Sequence, residues 1–199
     1  MEAKLLEKLK KINPLNQHGV PKSQGNCHWC AIEAARVLLQ DVEPREIPEF
    51  EGGNDPVEGL VHSVHGSEEV EDLDEFFQKI QALNRGELML VRLENTSKSE
   101  EDKDLDHSYL IYVDENNEAY LIDPDRQIFV ELEDREDFYQ SVKGWKNINT
   151  INYLNGELDS AFTDNVKVCI CKLTREAVHE SSGEPLPEYG TEVPGLRFS

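Results

Sequence analysis

The stretch HSYLIYVDENNEAYLID, residues 107–123, constrains the fold more than any other part of the chain. Two runs rich in aromatic and β-branched residues flank the polar turn ENNE, which is the pattern of a β-hairpin. A hairpin sets its two ends beside each other. With the turn centred near Asn116, His107 at the start of the first arm and Asp123 at the end of the second fall opposite each other or one diagonal apart. QIFVELE, 127–133, reads as a third strand, and GELMLVRLE, 86–94, as a strand before the hairpin. VKVCICKL, 166–173, reads as the last strand.

Upstream, helical spacing dominates. Leu5, Leu6, Leu9 and Ile12 recur at that spacing over residues 3–12, and Pro14 ends the run. NPLNQHGVPKSQGN, 13–26, is a loop by its Pro, Gly and Asn content. Residues 27–40 follow as a helix with Ala31, Ala34, Ala35, Leu38 and Leu39 on its apolar face and Asn26 as N-cap. Residues 41–66 carry few periodic signals. EEVEDLDEFFQKIQAL, 68–83, is an amphipathic helix, and 133–144 a shorter one. Helices segregated from strands predict an α+β domain with N-terminal helices packed on an antiparallel sheet. The 199 residues, 38% of them hydrophobic, suit one core. We expect a single domain over 1–174. The polar stretch 175–199, with Pro and Gly scattered through it, is expected as a loosely ordered C-terminal extension.

The 41 acidic and 20 basic residues give a formal net charge of −21. Such a chain repels phosphate backbones, so no nucleic acid is expected as partner. The longest apolar runs, such as LMLV at 88–91, are strand-sized, far short of the roughly 20 residues of a membrane span. The segment MEAKLLEKLKKINP lacks the apolar block and small-residue cleavage site of a secretory signal. The acidic run 95–106 reads as a solvated loop before His107.

Four cysteines are present: Cys27, Cys30, Cys169 and Cys171. Cys169 and Cys171 alternate on a strand and share a face, where they pack as small apolar side chains. Cys27 stands where a Gly-Asn loop meets a helix N-terminus. The dipole and unsatisfied N–H groups there favour a thiolate, and the same N–H groups suit an oxyanion. A buried, inert thiol fits the position equally on location alone. CHWC has zinc-compatible spacing, but a tetrahedral site wants a second pair. Cys169 and Cys171 are poorly placed to supply it, and His28, His62 and His65 follow no recognised ligand spacing. Hence no metal and no cofactor are expected. A thioredoxin-type CxxC follows a strand in a βαβ unit, whereas this one follows a Pro/Gly loop. A cysteine nucleophile needs a base and an orienting acid, and the hairpin offers His107 and Asp123.

KINP, 11–14, then GNCHWCAIEAARVLL, 25–39, then DHSYLIYV with YLIDPD, 106–125, resemble the papain-fold toxin domain. This group comprises bacterial glutamine deamidases of secreted effectors and polymorphic toxins. The likeness spans residues 11 to 131. Its motifs are an N-C-x-x-C-A helix start, a histidine opening a strand, and an aspartate in a D-P-Q or D-x-Q segment. The resemblance implies a papain-like fold, with Cys27 as nucleophile, His107 as general base and Asp123 as orienting acid. It implies a packing role for Cys30 beneath the site. The chain departs from the family in having Asp125 where a glutamine often stands, and Gln127 is the nearby substitute. The backbone N–H of Cys27, with Gln24 or Asn26, is assigned to the oxyanion site. Trp29 is expected as core or rim packing.

The implied activity is that of a bacterial effector or toxin, a virulence protein secreted by a signal-peptide-independent route and acting in the cytoplasm of a host or target cell. Its protein substrate would be a host signalling or ubiquitin-pathway protein, or a competitor's protein. The same Cys-His-Asp set also suits a cysteine protease or a transglutaminase. A non-catalytic binding module on this scaffold is the alternative of a different class.

Overall fold

The computed structural model describes residues 1–23, 25–49, 57–95, 107–142 and 166–190. Most of the acidic run 95–106, and Gln24, lie outside the described residues. Among those described, five helices and six strands follow one another along the chain. They are α1 (Ala3–Lys10), α2 (Cys27–Gln40), α3 (Val57–His65), β1 (Glu68–Val70), α4 (Leu73–Gln81), β2 (Leu88–Asn95), β3 (His107–Val113), β4 (Ala119–Asp123), β5 (Ile128–Glu131), α5 (Arg135–Val142) and β6 (Val166–Leu173). The strands form one sheet in the order β1-β6-β2-β3-β4-β5, and every pairing is antiparallel. The α+β class expected from the sequence is what the structure shows. No described helix is long and apolar enough to cross a membrane.

Both faces of the sheet are covered, which explains why its central strands read as continuous apolar runs. On one face Leu88, Leu90, Leu110, Tyr112, Ile122, Cys171 and Leu173 pack with Ala31, Ala34, Ala35 and Leu38 of α2. On the other, Met89, Val91, Tyr109, Ile111, Leu121, Val168 and Ile170 pack with Phe76 and Ile80 of α4 and Phe138 of α5. Burial of each such side chain contributes roughly 1.5–3 kcal/mol before conformational entropy is subtracted. Cys171 is fully buried, and burial pushes its thiol up to about 12.

Three expectations need correction. Residues 68–70 are not helical: they form edge strand β1 against β6, pairing Glu68 with Ile170 and Val70 with Val168. The helix starts only at Leu73, because the Asp72 side chain accepts from the Glu75 N–H at 2.8 Å and caps it there. The quiet stretch 41–66 contains α3, whose buried face carries Glu58 and His62 beside Val57 and Val61. Polar residues on the buried side erase the amphipathic signal. Finally, the extension is not loose as far as residue 190. Val178 and Leu186 enter the core beside α2. The Arg175 guanidinium donates to the carbonyls of Leu38 at 3.0 Å and Leu39 at 3.4 Å, satisfying the open end of α2. Tyr189 meets Trp29 edge-on, with centroids 5.2 Å apart, and Trp29 is buried as packing.

Candidate active site

Two loops meet at the N-terminal end of α2, and Asn13 clamps them together. Its Oδ1 accepts from the Ser23 N–H at 2.9 Å, and its Nδ2 donates to the carbonyls of Ser23 at 3.0 Å and Asp125 at 2.9 Å. Asn13 thus ties the segment before Cys27 to the turn after Asp123. Gly25 has φ 81°, a left-handed turn that a side chain would strain, and the chain enters α2 two residues later. Asn26 stands at the N-cap position, but its side chain makes no cap bond. Its amide nitrogen donates instead to the Pro48 carbonyl at 3.1 Å, holding the segment that follows α2. The first-turn N–H groups of α2 are therefore not capped by Asn26.

The hairpin register pairs Leu110 with Ile122 and Tyr112 with Tyr120. Continued to the hairpin's open end, it sets Asp123 diagonal to His107 on the same face. The His107 Nε2 and Asp123 Oδ2 lie 2.7 Å apart in a hydrogen bond, and the two residues are 1% and 0% exposed. The ring of Tyr109 stacks beside His107 at 6.2 Å. His107 and Asp123 share the sheet face of Tyr109 and Leu121, which packs against α4 and α5, whereas α2 packs on the other face.

Cys27 is buried, close enough to the start of β3 for the backbone N–H of Ser108, the residue after His107, to favour its thiolate slightly. The N-terminal end of α2 and the start of β3 are thereby brought together. The expected lowering of the thiol pKa is reversed. Burial pushes Cys27 well above its ordinary value, and the carboxylates of Asp125, Glu58 and Asp123 add to the rise. A helix terminus is worth at most about 2 kcal/mol, too little to offset burial among three acids. The resting thiol is neutral. Cys30 is buried one turn on within the α2 core and is raised likewise, chiefly by burial.

The structure takes Gln127 to another task. Its amide donates to the carbonyls of Asn13 at 2.6 Å and Lys10 at 3.1 Å, bracing the end of α1. Asp125 is the acid nearest the thiols in effect. It is 2% exposed, neither oxygen has a hydrogen-bond partner among the described residues, and Arg126 Nε lies 3.4 Å away. Burial and the adjacent Asp123 raise its carboxyl. Beside Cys27, Glu58 of α3 is also buried, in contact with His28 and Ser108. Sequence reasoning missed Glu58, His28, Ser108 and Asn13 as parts of one cluster. Of these, Asn13, in KINP, and Ser108, in DHSYLIYV, lay in motifs singled out apart from the cysteines.

No family model matches the chain, and no curated protein is significantly similar to it.

Proposed function

We propose that the protein is a cysteine-dependent protein-glutamine deamidase on a papain-like scaffold. The observation that carries this reading is the buried His107–Asp123 hydrogen bond, with His107 opening the strand whose next residue approaches Cys27. The resemblance of residues 11–131 to the papain-fold toxin domain supplies the reaction class.

The neutral thiol makes the first step general-base catalysis rather than attack by a preformed thiolate. His107 takes the Cys27 proton as sulfur adds to the side-chain carbonyl carbon of a substrate glutamine. The carbonyl electron pair moves to oxygen, where first-turn N–H groups of α2 stabilise the oxyanion. His107 then gives its proton to the amide nitrogen. The C–N bond breaks, ammonia leaves, and a thioester remains on Cys27. Water attacks the thioester as His107 takes its proton. Collapse breaks the C–S bond, returns the proton to sulfur and leaves glutamate. Asp123 holds the imidazole's tautomer and stabilises its charged form in both half-reactions. In this reading the protein is a bacterial effector or toxin that acts on a protein in the cytoplasm of a host or competitor.

Incubation with β-casein, with and without a primary amine, tests the reaction class. Deamidation gives ammonia and a gain of about one mass unit per converted glutamine. Chain cleavage would replace this reading with a protease, and amine incorporation in preference to hydrolysis would replace it with a transglutaminase.

A further inference from the structure

The proposed mechanism leaves a second buried acid unused. Glu58, on the first turn of α3, is 3% exposed. Its Oε2 accepts from the Ser108 hydroxyl and lies against Nδ1 of His28, and Ser108 Oγ sits 2.6 Å from that same nitrogen. His62, one turn along α3, brings Nε2 to 3.7 Å from Glu58 Oε1 and anchors its Nδ1 on Ser67 Oγ at 3.0 Å. A carboxylate buried this deeply is tolerated when a cation and hydrogen-bond donors face it. Burial alone would drive the Glu58 carboxyl up. The charge of His28, hydrogen bonds from His28 and Ser108, and the nearby His62 ring overcome this and hold it at about 2. Ser108 joins the two parts of the cluster. Its hydroxyl belongs to the Glu58–His28 pair, and its backbone N–H is near enough to Cys27 to favour the thiolate.

We infer that Glu58 and His28 form a second acid–imidazole couple of the site. Glu58 is a positioning residue that holds His28 as an imidazolium beside Cys27, and His28 supplies positive charge against the carboxylates surrounding the thiol. The inference's part in turnover rests on the reading of Cys27 as nucleophile. Its electrostatic part is measurable without a substrate. The two imidazoles divide the work: His107 exchanges a proton in each half-reaction, whereas His28 keeps its own. Among the described residues, the groups that set the charge around His28 come from four elements and a turn. They are Glu58 and His62 of α3, Cys27 of α2, His107 and Ser108 of β3, Asp123 of β4, and Asp125 in the turn after it.

Two measurements on the full chain test the couple. Imidazole signals are followed by NMR across a pH series, with His28 assigned from His28→Gln. Carboxymethylation of Cys27 by iodoacetamide is followed across the same series by peptide mass. His28 is expected to stay protonated well above the ordinary imidazole midpoint of about 6.5, and to lose that shift in Glu58→Gln. His28→Gln is expected to slow Cys27 alkylation near neutrality about tenfold, moving its profile up by about one pH unit. His28→Lys, which restores a charge, recovers most of the rate. An ordinary His28 midpoint in the wild type, or superimposable alkylation profiles in wild type and His28→Gln, overturns the couple. If Glu58→Gln does not fold, the wild-type titration and the partly exposed His28 position still decide. Ammonia release that survives Cys27→Ala while the alkylation profile still moves rejects the deamidase reading and leaves the couple standing. Cys27-dependent ammonia release with an unmoved profile rejects the couple alone.

Discussion

Where α4 meets α5, the rings of Phe76, Phe77 and Phe138 meet with centroids 5.4 to 5.8 Å apart, and the one cation placed on them among the described residues, the Arg135 guanidinium, lies 4.9 Å over the half-buried Phe77 ring. Near the N-terminal end of α2, Cys27, Glu58, Ser108, Asp123 and Asp125 are buried close enough for the carboxylates to act on the thiol, and His107 is buried against Asp123. The first region is what burial alone selects: large apolar groups whose contacts add dispersion and transfer free energy. The second works against that trend. Each of its charges loses hydration; hydrogen bonds compensate the His107–Asp123 and Glu58–His28–Ser108 groups, whereas both Asp125 oxygens, Glu58 Oε1 and His62 Nε2 have no hydrogen-bond partner among the described residues. The contrast teaches where selection for something other than stability acts. A chain that needed only a core would fill the α2 end with leucine.

Substitutions at the two regions should therefore separate activity from stability. The largest effect is expected from Asp123→Asn, which leaves the shape intact but removes the charge that orients and supports His107. Turnover should fall roughly 10²–10⁴-fold, with the unfolding midpoint in urea little changed. Phe138→Ala should do the opposite. It removes a ring that is 2% exposed and should cost about 3–5 kcal/mol in urea unfolding, with kcat per folded molecule unchanged.

Glu58→Gln probes the polar region's dependence on pH. The Glu58 carboxyl titrates at about 2 in the fold and at about 4.3 in an unfolded chain. Its stabilisation is thus complete above the unfolded value and is lost as pH falls through the interval toward 2. The contribution is on the order of 3 kcal/mol. Unfolding free energies of wild type and Glu58→Gln should converge as pH drops from about 5 to about 2. A gap that stays constant would remove Glu58 from the charged network. The smallest effect is expected from Asn13→Ala, which unties the Cys27 and Asp125 segments. It should cost about 1–3 kcal/mol and lower kcat as well, unlike Phe138→Ala. Unchanged kcat would make Asn13 mere packing.

The hairpin was legible because alternation and a polar turn fix its register, and the register alone brings His107 diagonal to Asp123. The span of α2 was legible from its alanine and leucine spacing, and β6 from its alternation. What escaped was set by non-local contacts. EEV at 68–70 has the composition of a helix start, and it is a strand because β6 lies beside it. The 175–190 segment is polar on average, yet Val178, Leu186 and Arg175 find α2. Glu58 and His62 hid because polar residues on a buried face look like noise until their partners are known. The thiol's direction of shift failed for a related reason. A helix terminus is visible in sequence, whereas the three carboxylates that fold around Cys27 come from α3, β4 and the turn after it.

One measurement bears most directly on the role of Cys27. Purified wild-type and Cys27→Ala proteins are each incubated with a cell lysate in heavy-oxygen water, and the peptides are read by mass spectrometry. The wild type is expected to convert specific glutamines to glutamates carrying heavy oxygen in the new carboxylate, and Cys27→Ala to convert none above background. The same converted glutamines with both proteins, or none with either, would contradict a thioester on Cys27 as the centre of this protein's chemistry.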